Sequence, residues 1–167
     1  MTITNPRTGQ TMTFVTTTED CLEIETINPP TDVPEPEHVH PKQESGCTVT
    51  SGELRFRVNG VEQTVGAGES ITIPANTPHY FSNETTAPAH ATQWFKPALN
   101  TQAFFELLFE LARADKLDDK GMPKLLQIAV MVPAYGDVIR PTSPPWSIQR
   151  AVATVLGPVA RLRGYKP

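Results

Sequence analysis

The chain contains four histidines, His38, His40, His79 and His90, and the first two are spaced i, i+2. Successive side chains of a strand alternate between faces, so a strand here turns both imidazoles to one side. Two neutral imidazoles converging from one strand supply half of a transition-metal site. His79 belongs to a second stretch with its own order. A β-rich run over residues 70–73 leads into a turn containing Pro74, Asn76 and Pro78, and His79 then heads another short strand. His90 begins a later strand with no ligating neighbour in sequence and reads as a rim or surface residue. No Ser-His-Asp order, phosphate loop or CxxC pair supports hydrolase, nucleotide or redox-disulfide chemistry.

The elements that must position these residues change character near Pro97. Before it, apolar and polar residues alternate and are punctuated by Gly, Pro and Asn. Strands are expected over residues 11–17, 21–27, 48–50, 54–58, 61–65, 70–73, 78–82 and 90–96. Leu54, Phe56 and Val58 alternate with Arg55, Arg57 and Asn59, and Asn59-Gly60 then gives a hairpin signal. The stretch over residues 28–36, NPPTDVPEP, reads as a proline-stiffened loop. After Pro97, apolar residues recur every three or four positions. A first helix starts at Asn100 or Thr101 and carries Phe104, Leu107, Leu108 and Leu111 on one stripe, with Phe105 and Phe109 on an adjoining face. A second is expected after Gly121, with Pro123 in its first turn, running through Val132. A third has Ser143 as N-cap and Pro144 at its first position, and Gly157-Pro158 should kink or end it.

The second histidine stretch resembles a motif of the cupin superfamily. Gly68, five residues on to Pro74, a turn residue at Asn76, then His79 and Asn83 match that motif in spacing. Asn76 stands where the family usually has glycine, and asparagine tolerates positive φ nearly as well. His38-Val39-His40 and Gly52 match the first cupin motif. The resemblance covers residues 35–83. It implies a small β-barrel of the double-stranded β-helix or jelly-roll type, with a divalent transition metal (Fe, Mn, Ni or Zn) held inside by His38, His40, His79 and one carboxylate. Such a donor set leaves two octahedral positions open for substrate, water or dioxygen.

The carboxylate is where the sequence departs from the motif. Counted forward from His40, Glu44 fits. Counted back from Gly52, the family's glutamate falls on Ser45. Strand parity sharpens the conflict, because Ser45, Cys47 and Val49 share one face and Glu44, Gly46 and Thr48 the other. With Val49 inward, Glu44 becomes a ligand only if an irregularity at Gly46 turns it in. The other outcome is a three-histidine site completed by water, or a weak site. Gln43 either donates a hydrogen bond near the metal or is a solvated loop amide. Phe56, Tyr80, Phe81 and Trp94 read as core, with one or two free to line a ligand pocket.

Bulk properties agree with a folded domain. The 167 residues are 38% hydrophobic and 19% charged, with 17 prolines, which favours many short elements over a few long helices. A net charge of −4 without a basic run suggests neither nucleic acid nor an anionic membrane as partner. The first residues lack a secretory pattern, and no apolar run of about 18 residues is present to span a membrane. Cys21 and Cys47 have no metal-type spacing. Two free thiols in a reducing cytoplasm is the simpler reading, and a single disulfide the other. The expected architecture is therefore mainly β: a cupin-like barrel over residues 1–97 and a helical extension over residues 98–167 packed on it. Two functions of different class stand open. One is a metal-dependent enzyme, foremost a dioxygenase, acting on a small organic substrate. The other is a non-catalytic binder or sensor of a small molecule. The apolar first helix, with six large side chains over more than one face, further suggests a two-fold homodimer.

Overall fold

The computed structural model describes residues 1–32 and 34–167. Val33, inside the proline-rich stretch, lies outside the described residues. Among the described residues ten strands precede the first helix: β1 (Thr2–Thr4), β2 (Thr11–Thr17), β3 (Leu22–Asn28), β4 (His38–Val39), β5 (Glu44–Ser51), β6 (Glu53–Val58), β7 (Val61–Gly66), β8 (Ser70–Ile73), β9 (His79–Ser82) and β10 (Ala89–Lys96). Helices α1 (Thr101–Arg113) and α2 (Leu125–Tyr135), the short strand β11 (Arg140–Pro141) and helix α3 (Trp146–Leu162) complete the chain.

The strands form two antiparallel sheets in the orders β1-β2-β3-β10-β5-β8 and β11-β4-β9-β6-β7. The sheets remain open at their edges, and the arrangement fits the cupin double-stranded β-helix. Strict alternation produces the core between them. In β10 every second residue is buried, and Cys47, Val49, Leu54, Phe56, Ile71, Ile73 and Ala91 meet from both sheets. The Asn59-Gly60 turn joins β6 to β7 with both residues at positive φ, as the hairpin signal requires.

The segment after Pro97 is fastened to the sheets at several points. β11 pairs with β4, and the Thr142 N–H donates to the Glu37 carbonyl at 3.0 Å. Helix α1 is covered within the chain on both apolar faces. Phe109, 1% exposed, packs with Ile3, Met12, Leu22 and Ile24 of the sheets. Phe104 and Leu111 pack instead with Met131, Tyr135 and Val138. Four of the exposed apolar residues lie on α3: Ile148, Val155, Val159 and Leu162.

Helix boundaries differ from the sequence expectation in three places. Helix α2 begins after Lys124, two residues beyond Pro123, which forms a bridge to Leu117 instead. Helix α3 is capped by Pro145 rather than Ser143, because the Pro145 carbonyl accepts from the Ile148 and Gln149 N–H groups. It also runs through Gly157-Pro158. The small residues Gly157 and Ala160 let α3 approach α2 closely, and a Cβ at Gly157 would sit 3.6 Å from the Ala129 carbonyl oxygen. That packing outweighs the helix bond Pro158 cannot make. Among the described residues no helix is long and apolar enough to cross a membrane. Neither cysteine is in a disulfide, and burial pushes the Cys47 thiol up to about 12.

Candidate metal centre

The sheet register brings the two histidine stretches together. His38 in β4 lies directly opposite His79, the first residue of β9. His40 follows β4 on the same face as His38, and all three side chains are buried. Ring centroids are 5.0 Å apart for His38 and His40, 4.5 Å for His38 and His79, and 5.1 Å for His40 and His79. The turn before His79 is tied to the first stretch as well. Asn76 adopts φ +60°, and its N–H donates to the His40 carbonyl at 2.8 Å.

Hydrogen bonding fixes the tautomer of each ring. The Nδ1 atoms of His38, His40 and His79 contact the carbonyl oxygens of Pro36 (2.9 Å), Val138 (2.7 Å) and Thr77 (2.8 Å). A carbonyl only accepts, so each Nδ1 carries the proton and each Nε2 keeps its lone pair. This is the orientation in which imidazole ligates a metal, with the outer nitrogen anchored. Burial, the leading cause for each ring, lowers all three pKa values. His40 is pushed down to about 3, with His38 adding to the effect, and the three rings are neutral near pH 7. The group of potential ligand atoms lies within 4.8 Å of one another, so it could hold a metal ion.

Glu44 does not join this group. β5 pairs with β10 without interruption from Ser45 to Val49, so Gly46 makes no bulge. Glu44 therefore keeps the outward parity and is exposed, opposite Lys96. Gly46 has another purpose: a Cβ there would collide with the Trp94 ring lying across it. Ser45 takes the inward position, buried, with its Oγ lacking any partner. Gln43 is fully buried and neither faces the histidines nor is solvated. Its Nε2 donates toward the Pro97 and Ala98 carbonyls and Thr101 Oγ1, joining β5 to the connection between β10 and α1. His90 is exposed at the start of β10.

The histidines open onto a cavity of about 660 Å³ between the sheets and the helices. Phe56 and Phe81 line it, stacked with centroids 5.4 Å apart, whereas Tyr80 and Trp94 do not. Phe95 stands edge-on to His40 at 5.2 Å. Two lining residues were not legible in the sequence. Glu35 accepts a hydrogen bond from the Phe81 N–H at 3.3 Å, and desolvation pushes its carboxyl up to about 7 despite the opposing influence of His79. It sits in an irregular loop, where periodicity carries no signal about direction. Gln93 is buried in β10, and only its alternation with exposed residues could have placed it inward.

Residues 24–95 match the Cupin domain family. Over that stretch the chain is similar to a cupin domain. Solved cupins and related structures resemble it over about half its length. TT1209 from Thermus thermophilus shares 26% identity at a TM-score of 0.51, covering 56% of this chain and 87% of that one. An RmlC-like cupin from Shewanella frigidimarina shares 18% at 0.53, covering 60% and 86%. KdgF from Halomonas sp. shares 16% at 0.52, covering 56% and 84%. The last two likenesses speak to the fold alone. No curated protein matches the chain. The cupin motif residues thus have structural counterparts here: the three histidines converge, Asn76 makes the turn, and Asn83 closes the following loop by donating to the Asn28 and Ala87 carbonyls.

Proposed function

We propose that the protein is a metal-dependent cupin enzyme, foremost a dioxygenase, acting on a small organic substrate in the cavity. The observation that carries this reading is the set of three Nδ1–carbonyl contacts, which leave three Nε2 lone pairs free in a group whose ligand atoms lie within 4.8 Å of one another beside an open cavity. A divalent transition metal held there by His38, His40 and His79 would supply Lewis-acid or oxygen-activating chemistry. The chain's own residues would orient the substrate and exclude water. The Glu35 carboxyl, on the cavity wall and accepting from the Phe81 N–H, suits the taking or giving of a proton.

A second reading is a non-catalytic small-molecule binder or sensor. It is favoured by the donor set, which lacks a carboxylate because Glu44 faces outward. Metal analysis of protein purified without a histidine tag, followed by oxygen-uptake screening, separates the two. Bound metal with substrate-dependent uptake supports the enzyme. Ligand binding with no turnover across metals and substrates supports the sensor. For the assembly we propose a two-fold homodimer through α3, whose exposed Ile148, Val155, Val159 and Leu162 recur on one stripe.

A further inference from the structure

We propose that the cavity in front of the three histidines takes a molecule with an apolar, uncharged body and one neutral polar group turned inward, and that without metal it rejects sulfonated or phosphorylated compounds. The proposal rests on the reading of this cavity as the substrate site and names the class of substrate.

The walls set the class. Phe56, Phe81 and Phe95 approach from the sheets, and Phe105, Leu108 and Met131 from the helices. Aromatic and thioether surfaces of this kind favour a hydrocarbon or ring skeleton. Fixed positive charge is nearly absent. Among the described lining residues only Arg7 and Lys120 are cationic beside the histidines, and both are exposed at the mouth. The Arg7 guanidinium is already engaged, donating to the Leu117 carbonyl at 2.8 Å. Asp32 and Asp119 share that mouth, and Glu35 lies on the wall. In the metal-stripped protein a buried sulfonate or phosphate would therefore find no buried side-chain cation to pair with, and Glu35 would face it from the wall.

Neutral polar atoms do face inward. Ser45 Oγ is buried, lines the cavity and has no hydrogen-bond partner. On the adjacent strand β10, the buried amide of Gln93 lines the cavity and makes no hydrogen bond to the protein. A hydroxyl and an amide each donate and accept without carrying charge, so they match a hydroxyl, carbonyl or ether oxygen on a ligand. These residues stand on neighbouring strands, paired in a register that sets Ser45 opposite Phe95 and Gln93 opposite Cys47. Ser45 and Gln93 thereby offer the polar end of the ligand neutral partners on one pair of neighbouring strands.

Two probes of one skeleton test the class. N-phenyl-1-naphthylamine is neutral, and 1-anilinonaphthalene-8-sulfonate carries the same rings with a sulfonate. Each is titrated by fluorescence into the full-length, metal-stripped protein. The expected result is saturable binding of about one neutral probe per chain and affinity for the sulfonate weaker by at least about tenfold. Leu108→Trp and Phe81→Trp, which fill the cavity from the helix side and the sheet side, should each weaken neutral-probe binding by about tenfold with the circular dichroism unchanged. Whichever variant folds suffices. Equal or tighter sulfonate binding, no saturation by the neutral probe, or unaltered binding in a folded filling variant would overturn the proposal. Calorimetric titration of the same metal-stripped protein with Zn²⁺ separates this from the metal reading, since it reads the metal site without the probe. Metal bound without probe binding defeats the substrate class alone, and probe binding without metal defeats the metal reading alone.

Discussion

At the scale of single residues, the candidate site depends on which nitrogen each histidine leaves free. His40 is the most constrained, because its Nδ1 partner is the Val138 carbonyl, far along the chain. Removing the imidazole takes away one of three neutral donors, whereas Glu44 points to solvent. His40→Ala is therefore expected to lower metal affinity by at least about a hundredfold, and Glu44→Ala by less than about twofold, read by calorimetry on the same metal. Equal losses would show that Glu44 reaches the metal. The titrating groups give a second expectation, on stability without metal. Glu35 has a folded-state pKa of about 7, raised above its usual 4.5 by burial, so the folded state binds more protons than the unfolded state between those values. Its contribution to stability is present below about pH 4.5 and is lost as pH rises through about 7. Glu35→Gln, which imitates the neutral form, should raise the melting temperature more at pH 8 than at pH 5. The histidines have the opposite sign. Their folded pKa values lie below 6.5, so stability falls as pH drops below about 6.5, and Glu35→Gln should make that acid-side fall steeper. An equal shift in melting temperature at both pH values would refute the raised carboxyl.

At the scale of elements, the strands were largely legible because their chemistry is local. Leu54, Phe56 and Val58 alternate cleanly, Asn59-Gly60 makes its turn, and the two histidine stretches carry spacings set by one fold. What escaped depended on distant partners. The pairing of β11 with β4 could not be read from Arg140-Pro141, and Gln43 gives no local sign that its amide will be buried against residues 97–101. The ends of α2 and α3 shifted for the same reason, as packing of Gly157 and Ala160 against α2 decided where α3 could continue. Gly46 illustrates how one residue can carry two readings. A glycine inside a strand suggests a bulge, but here the ladder is regular and the missing side chain makes room for Trp94. Gly46→Ala should consequently destabilise the protein by about 1–3 kcal/mol through overpacking. Trp94→Leu in the same chain should recover most of that loss. Denaturant melts of the two single variants and the double variant measure the coupling, and additive losses would show that the ring does not fix the glycine.

At the scale of the whole molecule, the segment after Pro97 supplies wall and anchor to a histidine cluster that wholly precedes it. Phe105, Leu108 and Met131 close the cavity, and Val138 orients His40. This changes how the apolar helix α1 bears on assembly. Its breadth suggested a face left over for a second copy, yet one side is covered by the sheets and the other by α2 and the residues around Val138. Phe109 is buried in the first of these contacts, so Phe109→Glu would place a carboxylate among Ile3, Met12, Leu22 and Ile24 without a partner. Such a change costs roughly 3 kcal/mol or more and should unfold the chain rather than separate subunits. The exposed face on α3 behaves differently, since Val155 is 72% and Leu162 90% exposed. Substituting both with glutamate should leave the fold intact by circular dichroism. If α3 forms the proposed homodimer, light scattering at low micromolar concentration should show the wild type at twice the 18.3 kDa chain mass and the double variant at that mass. A wild-type mass of one chain would refute the dimer. A folded, monodisperse Phe109→Glu protein would refute the burial of α1 against the sheets.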